Sequence, residues 1–330
     1  MTDLSNIWQK GRKLLGTKYA ILGGAMSWVS ERNLVAAISN AGGFGVIACG
    51  AMGPELLDKE IKATKSLTKL PFGVNLITMH PQLDQLMEVC KDNKVSHVVL
   101  AGGLPKSSMI DTLKNAGIKV IAFAPALVIA KKLVKMGIDG IVIEGMEAGG
   151  HIGPVSTIVL AQEILPELKD IVPIFVAGGI GRGEAIANFL KMGAAGCQLG
   201  TRFVCSHESI AHENFKNTFI KSQARDTIVS QAIDPNFQVI PVRAIANKGT
   251  AEFNLAQKKA IEEYQSGRVS KEEAQLMIEH FWAGALRRAV IDGDTEFGSV
   301  MAGQSVGMVD KIQSIAEIME QLVKETYEAY

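Results

Sequence analysis

Between Tyr19 and Val204 the chain keeps alternating a short, apolar, β-branched run with a segment whose apolar residues recur at helical spacing. This alternation constrains the fold more than any other feature, because strands that pair in parallel need a crossover between them and a helix usually supplies it. The runs predict eight strands at Ala20–Met26, Gly45–Cys49, Phe72–Thr78, His97–Gly102, Val120–Ala124, Gly140–Glu144, Ile174–Gly178 and Gly196–Phe203. Helices are predicted over Asn33–Asn40, Glu55–Ser66, Gln82–Asp92, Ser107–Asn115, Leu127–Met136, Thr157–Leu168 and Glu184–Met192. Four of these helices run into Gly42, Gly117, Gly137 or Gly193, each placed where a left-handed cap is wanted and each followed by a strand.

Eight strands on short connections fit a closed α/β barrel, the (β/α)8 or TIM barrel, better than an open dinucleotide-binding sheet. The one approximate GxGxxG, Gly43 to Ala48, precedes a strand instead of following one, so it lacks the context of a phosphate-binding turn. After Val204 the pattern becomes polar and helix-forming, with no clear strand until about Arg288. The expected division is therefore a barrel from residues 1–205 and 296–330, interrupted at 206–295 by a mostly helical lid inserted after strand eight. A glycine-rich loop, Gly298 to Gly307, and a closing helix, Ile315 to Tyr327, return the chain to the barrel. Met1 to Lys18 reads as an amphipathic lead-in helix without the apolar core of a secretory signal.

Composition narrows the partners. Basic and acidic residues both number 34, so no net field draws nucleic acid or an anionic membrane. The longest apolar run, Val120 to Ala130, is short, contains Pro125 and is bounded by lysines, which excludes it as a transmembrane span. Cys49, Cys90, Cys197 and Cys205 show no metal or redox spacing and read as reduced, packed thiols of a cytoplasmic protein. Oligomeric state is left open by the sequence, a homodimer included.

The chemistry concentrates in Ile141 to Pro154, where a buried-strand pattern ends in Gly149 and Gly150 and delivers His151. Histidine titrates near neutral pH and can move a proton, although a lone loop histidine is by default structural. Two further loops change that balance. Strand seven ends Val176-Ala177-Gly178-Gly179-Ile180 and continues through Gly181 and Gly183 into a helix, and strand eight ends Gln198-Leu199-Gly200-Thr201. Adjacent glycine loops at the C-terminal ends of strands seven and eight are where barrels commonly hold a phosphate, with backbone N–H groups and a helix start facing the anion. Gly23 to Met26 and Gly73-Val74-Asn75 supply small residues and one amide to the same rim, enough to face a flat ring. Glu144 and Glu147 flank the histidine loop, as ligand or loop anchors or as a solvated charge. No metal-ligand spacing, nucleophile elbow or P-loop occurs.

Taken together these motifs resemble the FMN-dependent oxidoreductases that include bacterial enoyl-acyl carrier protein reductase II and the nitronate monooxygenases, formerly 2-nitropropane dioxygenases. The likeness runs from Gly23 to Trp28 through Asn40 to Gly45, Pro71 to Asn75, Glu144 to Gly153, Ala177 to Ile180 and Gln198 to Phe203 to Gly298–Gln304. It implies an FMN whose ring lies against Gly24, Ala25, Met26 and Asn75. Its phosphate would follow Ala177 to sit at Gly178, Gly179, Gly200 and Thr201, with Glu144, Met301, Gly303 and Gln304 completing the wall. His151 would be the acid–base residue. Nitronate monooxygenases often carry arginine where this chain has Ile152, so the resemblance favours a reductase that takes electrons from NAD(P)H to a 2-enoyl thioester. Ala224 to Thr227, Val242 to Ile245 and Gly284 to Val306 also resemble the reductase. The alternative is oxidation of alkyl nitronates by O2, and a reading from another class is a flavin- or phosphate-binding barrel without turnover. Lys216, Lys221, Arg225, Lys258, Lys259 and Arg268 are candidates for docking an acidic carrier protein or the phosphates of coenzyme A, against a default of solvated helical faces.

Overall fold

Eight apolar runs pair side by side in the computed structural model, which describes residues 6–237 and 239–330. In chain order they are β1 (Ile21–Gly23), β2 (Gly45–Ala48), β3 (Phe72–Ile77), β4 (His97–Ala101), β5 (Lys119–Phe123), β6 (Gly140–Glu144) and, past the two-residue β7 (Gly150–His151) that pairs elsewhere, β8 (Ile174–Ala177) and β9 (Gly196–Leu199). All neighbours are parallel, in the order β1-β9-β8-β6-β5-β4-β3-β2. The ends meet where Leu22 bridges Phe44: the Gly23 amide donates to the Phe44 carbonyl at 2.9 Å and the Phe44 amide to the Ile21 carbonyl at 2.8 Å. The result is the expected TIM barrel. Its strands are apolar on both faces because both are covered, one by the barrel interior and one by helices.

The helices are α1 (Gln9–Leu15), α2 (Arg32–Asn40), α3 (Pro54–Leu67), α4 (Leu83–Asp92), α5 (Ser107–Asn115), α6 (Leu127–Lys135), α7 (Thr157–Leu168), α8 (Gly183–Lys191), the single turn α9 (Thr201–Val204) and α10 (Glu213–Lys221). The four glycines expected to cap helices all have positive φ, between 78° and 102°. The lead-in segment contributes α1, which plugs the bottom of the barrel. There the Leu14 carbonyl accepts from His97 Nε2 at 2.9 Å and from Lys119 Nζ at 2.6 Å. Burial lowers the His97 pKa to about 4, so this imidazole is neutral and part of the core.

Three expectations need correction. Strand eight does not reach Phe203: it stops at Leu199, where its pairing with Gly23 ends, and Thr201–Val204 turns helical. The same limit of pairing trims the predicted Ala20–Met26 strand to Ile21–Gly23. The insertion does contain strands, β10 (Thr227–Val229) and β11 (Val242–Ile245), antiparallel to each other. Then follow α11 (Gly249–Gln265), α12 (Lys271–Val290) and α13 (Ile315–Ala329). Phe237, Val242, Phe253, Ile278 and Trp282 build a small second core in the insertion, whereas Phe215 and Phe219 of α10 pack into the barrel's core. Among the described residues no helix is long and apolar enough to cross a membrane.

Candidate active site

The histidine loop leaves the C-terminal end of β6 and is tied down at nearly every residue. Gly145 N–H donates to the Ala177 carbonyl at 3.1 Å and Met146 N–H to the Val155 carbonyl at 2.8 Å. Glu147 Oε2 accepts from both the amide (2.9 Å) and the hydroxyl (2.8 Å) of Thr157, the first residue of α7, whose N-cap Ser156 makes no side-chain cap. Glu147 is thus a loop anchor and not a solvated charge. At Gly149 a β-carbon would come within 2.6 Å of the Ala302 carbonyl carbon and the Gly303 nitrogen, so only glycine lets the loop press on the C-terminal segment.

Past that point β7 pairs with β11, His151 opposite Val242 and Gly150 opposite Arg243. Arg243 is buried, donating from Nε to the Met146 carbonyl at 2.8 Å and from Nη1 to the Thr227 carbonyl at 3.0 Å, and burial lowers its pKa. Ile152 is also buried, its N–H on the Pro241 carbonyl at 3.0 Å. His151 itself stays exposed, and its Nε2 lies 3.0 Å from Glu279 Oε2 on α12.

The glycine turn after β8 faces this loop. Gly178 and Gly179 have φ of 103° and 70°. A β-carbon on Gly179 would lie 2.9 Å from that of Glu147, leaving a cradle of bare backbone. After β9, Gly200 precedes Thr201, whose Oγ1 accepts from the Gly303 amide at 2.9 Å, and the Gln304 amide donates to the Glu147 carbonyl at 2.9 Å. The structure therefore gathers Ala177, Gly178, Gly179, Thr201, Gly303 and Gln304 around one corner of the mouth, and Met26 approaches Gly200 from the β1 side. The first amide of α8 is not free to meet an anion, against expectation. Gly183 N–H is taken by Glu325 Oε2 at 2.7 Å, and Gly181 is covered by Met308 and Ser305.

The opposite wall comes from β1 and β3. Ser30 Oγ donates to the Gly24 carbonyl at 2.9 Å and accepts from the Met26 amide at 3.0 Å, while Gly24 N–H donates to the Leu199 carbonyl at 2.8 Å, so Gly24, Ala25 and Met26 are held as a shelf. Trp28, on the same loop, has a φ of 66°, a strained value for a large side chain. Asn75 is buried with Nδ2 on the Val99 carbonyl at 3.0 Å. Glu144, at the tip of β6, keeps some accessible surface, and its side chain makes no hydrogen bond among the described residues. Burial pushes its pKa up to about 8, so at neutral pH it is mainly a neutral donor. Met301 borders Gly150 and packs against both hydrophobic cores.

The docking group divides. Lys216 is buried with Nζ 3.9 Å from Glu213, so it presents no charge to a partner, while Lys221, Arg225, Lys258 and Lys259 are exposed and Arg268 is paired with Glu263. All four cysteines are free and buried. Glu279 had no sequence signal, and Thr157 was legible only as the start of a helix. Trp28 and Arg243 lay inside the motifs named above, but the strain at the one and the strut role of the other depend on the fold.

A family model described as nitronate monooxygenase matches residues 9–93 and 78–325. Among solved structures, FabK from Thermotoga maritima superposes with a TM-score of 0.84 at 36% identity, covering 96% of this chain and 95% of that one. A curated relative from Rhodococcus jostii, (3aS,4S,5R,7aS)-5-hydroxy-7a-methyl-1-oxo-octahydro-1H-indene-4-carboxyl-CoA dehydrogenase, is 28% identical over 94% of this chain and 93% of its own length. A probable nitronate monooxygenase from Staphylococcus saprophyticus is also 28% identical, over 96% of each chain.

Proposed function

The chain belongs to the nitronate monooxygenase family of FMN-dependent oxidoreductases, and we propose that within it the protein reduces the double bond of 2-enoyl thioesters with electrons from NAD(P)H. The observation that carries this choice is the His151–Glu279 pair, because a carboxylate 3.0 Å from the histidine disfavours an anionic nitronate beside it. Buried Ile152 stands next to it where a nitronate enzyme often has a cation. The 36% identity to FabK and the CoA thioester named for the Rhodococcus relative support the same reading. Nitronate oxidation by O2 is the second reading, supported by the family model and the staphylococcal relative.

The residues present fit FMN. The backbone cradle of Gly178 and Gly179, preceded by Ala177, with Gly200 and Thr201 opposite, would hold the phosphate. Gly24, Ala25, Met26 and Asn75 would face the ring, and Glu144, Met301, Gly303 and Gln304 would close the wall. Glu144, protonated near neutral pH, would donate a hydrogen bond there. Bound FMN supplies hydride transfer, the step no side chain can perform.

His151 serves as the acid–base group at the mouth, supplying the proton that the reduced substrate needs or holding the thioester carbonyl. The β7–β11 pairing keeps it in place, and the insertion at 206–295 acts as the lid that excludes water and receives the carried substrate. The buried, free cysteines suit a reducing compartment, and we assign the protein to the cytoplasm.

Two assays on the yellow protein test this reading. Stoichiometric NAD(P)H oxidation that requires an enoyl thioester is the expected result. Oxygen uptake with propionate 3-nitronate and no response to the thioester would establish the second reading in its place.

A further inference from the structure

We propose that Glu279 is a positioning residue for His151: its carboxylate faces Nε2, holds the imidazole in one orientation and tautomer and leaves Nδ1 as the nitrogen that meets the substrate. The inference rests on the reading of His151 as the acid–base group. Glu279 Oε2 lies 3.0 Å from Nε2, at ion-pair distance for the protonated ring, and an anionic oxygen there disfavours the neutral tautomer that turns a lone pair on Nε2 towards it. Both side chains are partly exposed, 42% for His151 and 33% for Glu279, so the pair contributes little to folding stability. Its use is orientation.

Each partner is held independently of the other. His151 belongs to β7, which β11 pins by backbone pairing. Glu279 rides on α12, which sinks Ile278 and Trp282 into the insertion's own core and Leu286, Ala289 and Val290 into the barrel's. The same helix is hooked to the flavin-side shelf. Trp28 Nε1 donates to the Ala283 carbonyl at 3.3 Å, and the Arg287 guanidinium sits 5.8 Å from the centre of the Trp28 ring. Glu279, Ala283 and Arg287 are four residues apart and therefore form one stripe of α12, laid from the histidine loop to the β1 loop. Trp28 keeps a φ of 66° while making those contacts, as expected where a surrounding structure enforces a local geometry. Two anchored backbones thus aim the carboxylate at one ring nitrogen.

The proton balance is simple. When the doubly protonated ring gives its Nδ1 proton to the substrate carbon, it returns to the neutral form with the proton on Nε2, still held by Glu279, and solvent restores the other. Glu279 keeps the ring in place without taking its proton.

The test uses the FMN-loaded enzyme with Glu279→Ala, Glu279→Gln, His151→Ala and the Glu279→Ala/His151→Ala double variant, each with measured flavin content. Expected is a kcat lowered roughly 10- to 100-fold in Glu279→Ala at little-changed KM, part of the 10²–10⁴ that general acid–base catalysis contributes. Glu279→Gln should fall between it and the unaltered enzyme, since its amide oxygen still accepts, and the double variant should be no slower than His151→Ala. Nitrogen-15 NMR of labelled histidine, with His151→Ala for assignment, should show His151 protonated on Nε2 and a mixed tautomer in Glu279→Ala. An unchanged kcat or tautomer in Glu279→Ala, or losses that multiply in the double variant, overturns the proposal. Near-normal turnover of His151→Ala overturns the acid–base reading beneath it, an outcome distinct from the others.

Discussion

A single carboxylate oxygen of Glu147 receives both hydrogen bonds that Thr157 can give at the start of α7, at 2.9 Å and 2.8 Å. The histidine loop is thereby fastened to the helix that follows it. Glu147→Ala should cost on the order of 0.5–2 kcal/mol, the usual loss when a helix start is uncapped, and should speed release of the flavin. Glu147→Gln, whose amide oxygen can accept both bonds, should stay near the unaltered protein. Urea unfolding and flavin dissociation rates read both effects. Equal midpoints for all three proteins would remove the anchoring role.

Gly179 tests the proposed phosphate corner. Its φ of 70° strains any other residue, and a β-carbon meets that of Glu147 at 2.9 Å. Gly179→Ala should weaken flavin retention, and Gly179→Asp, which adds a negative charge at the proposed anion site, should abolish it. The ratio of flavin to protein absorbance measures this directly, and mass spectrometry of the released cofactor should return FMN and not FAD. Full occupancy in Gly179→Asp would mean the phosphate lies elsewhere.

Glu144 imposes a pH dependence on the flavin-free protein. Its carboxyl titrates near 4.5 in the unfolded chain and near 8 when folded, because burial disfavours the charge. Between those values the native state holds a proton that the unfolded state has lost, so stability falls as pH rises from about 4.5 to about 8. Glu144→Gln removes the group and should flatten that slope, with the largest gain over the unaltered protein at pH 8 and above. Denaturation curves at pH 5, 6.5, 8 and 9 would refute this if the two proteins ran parallel.

The basic residues of the insertion separate into the buried Lys216 and exposed candidates for docking. Lys216→Glu should destabilise the fold, since the side chain is buried and the new carboxylate would face Glu213. Reversal of the exposed Lys221 and Arg225 should leave folding and FMN content alone and raise KM for an acyl-carrier or CoA thioester, with the effect shrinking as salt increases. A KM insensitive to both the charge change and salt would exclude docking by these two residues.

The barrel was legible because interior parallel strands are apolar on both faces and because glycine marks where a helix must stop; Gly42, Gly117, Gly137 and Gly193 carried that signal without ambiguity. Short pairings were not. Thr201–Val204 follows β9 with two β-branched residues and a phenylalanine and reads as its extension, yet no neighbour remains to pair with it. The strands β10 and β11 have three and four residues, and the arginine inside β11 breaks the apolar pattern. Lys216 shows the same limit from the other side, since a lysine on an amphipathic helix gives no sign that its neighbours will enclose it. Glu279 is 128 positions from His151, and no local pattern records a meeting that the packing of α12 alone brings about.

The three-stranded sheet β10-β11-β7 joins a strand from the barrel's loop to two from the insertion. The insertion is consequently not an exchangeable module. A chimera that replaced residues 206–295 with the equivalent segment of a relative would also replace the partner strand of His151 and the arginine that grips the Met146 carbonyl. Transplants bounded by the chain's apparent domain limits should give folded but inert proteins, and those that carry residues 145–156 along with the insertion should travel intact. The heritable unit of activity is discontinuous in the chain, and recombination that respects sequence order alone will cut through it.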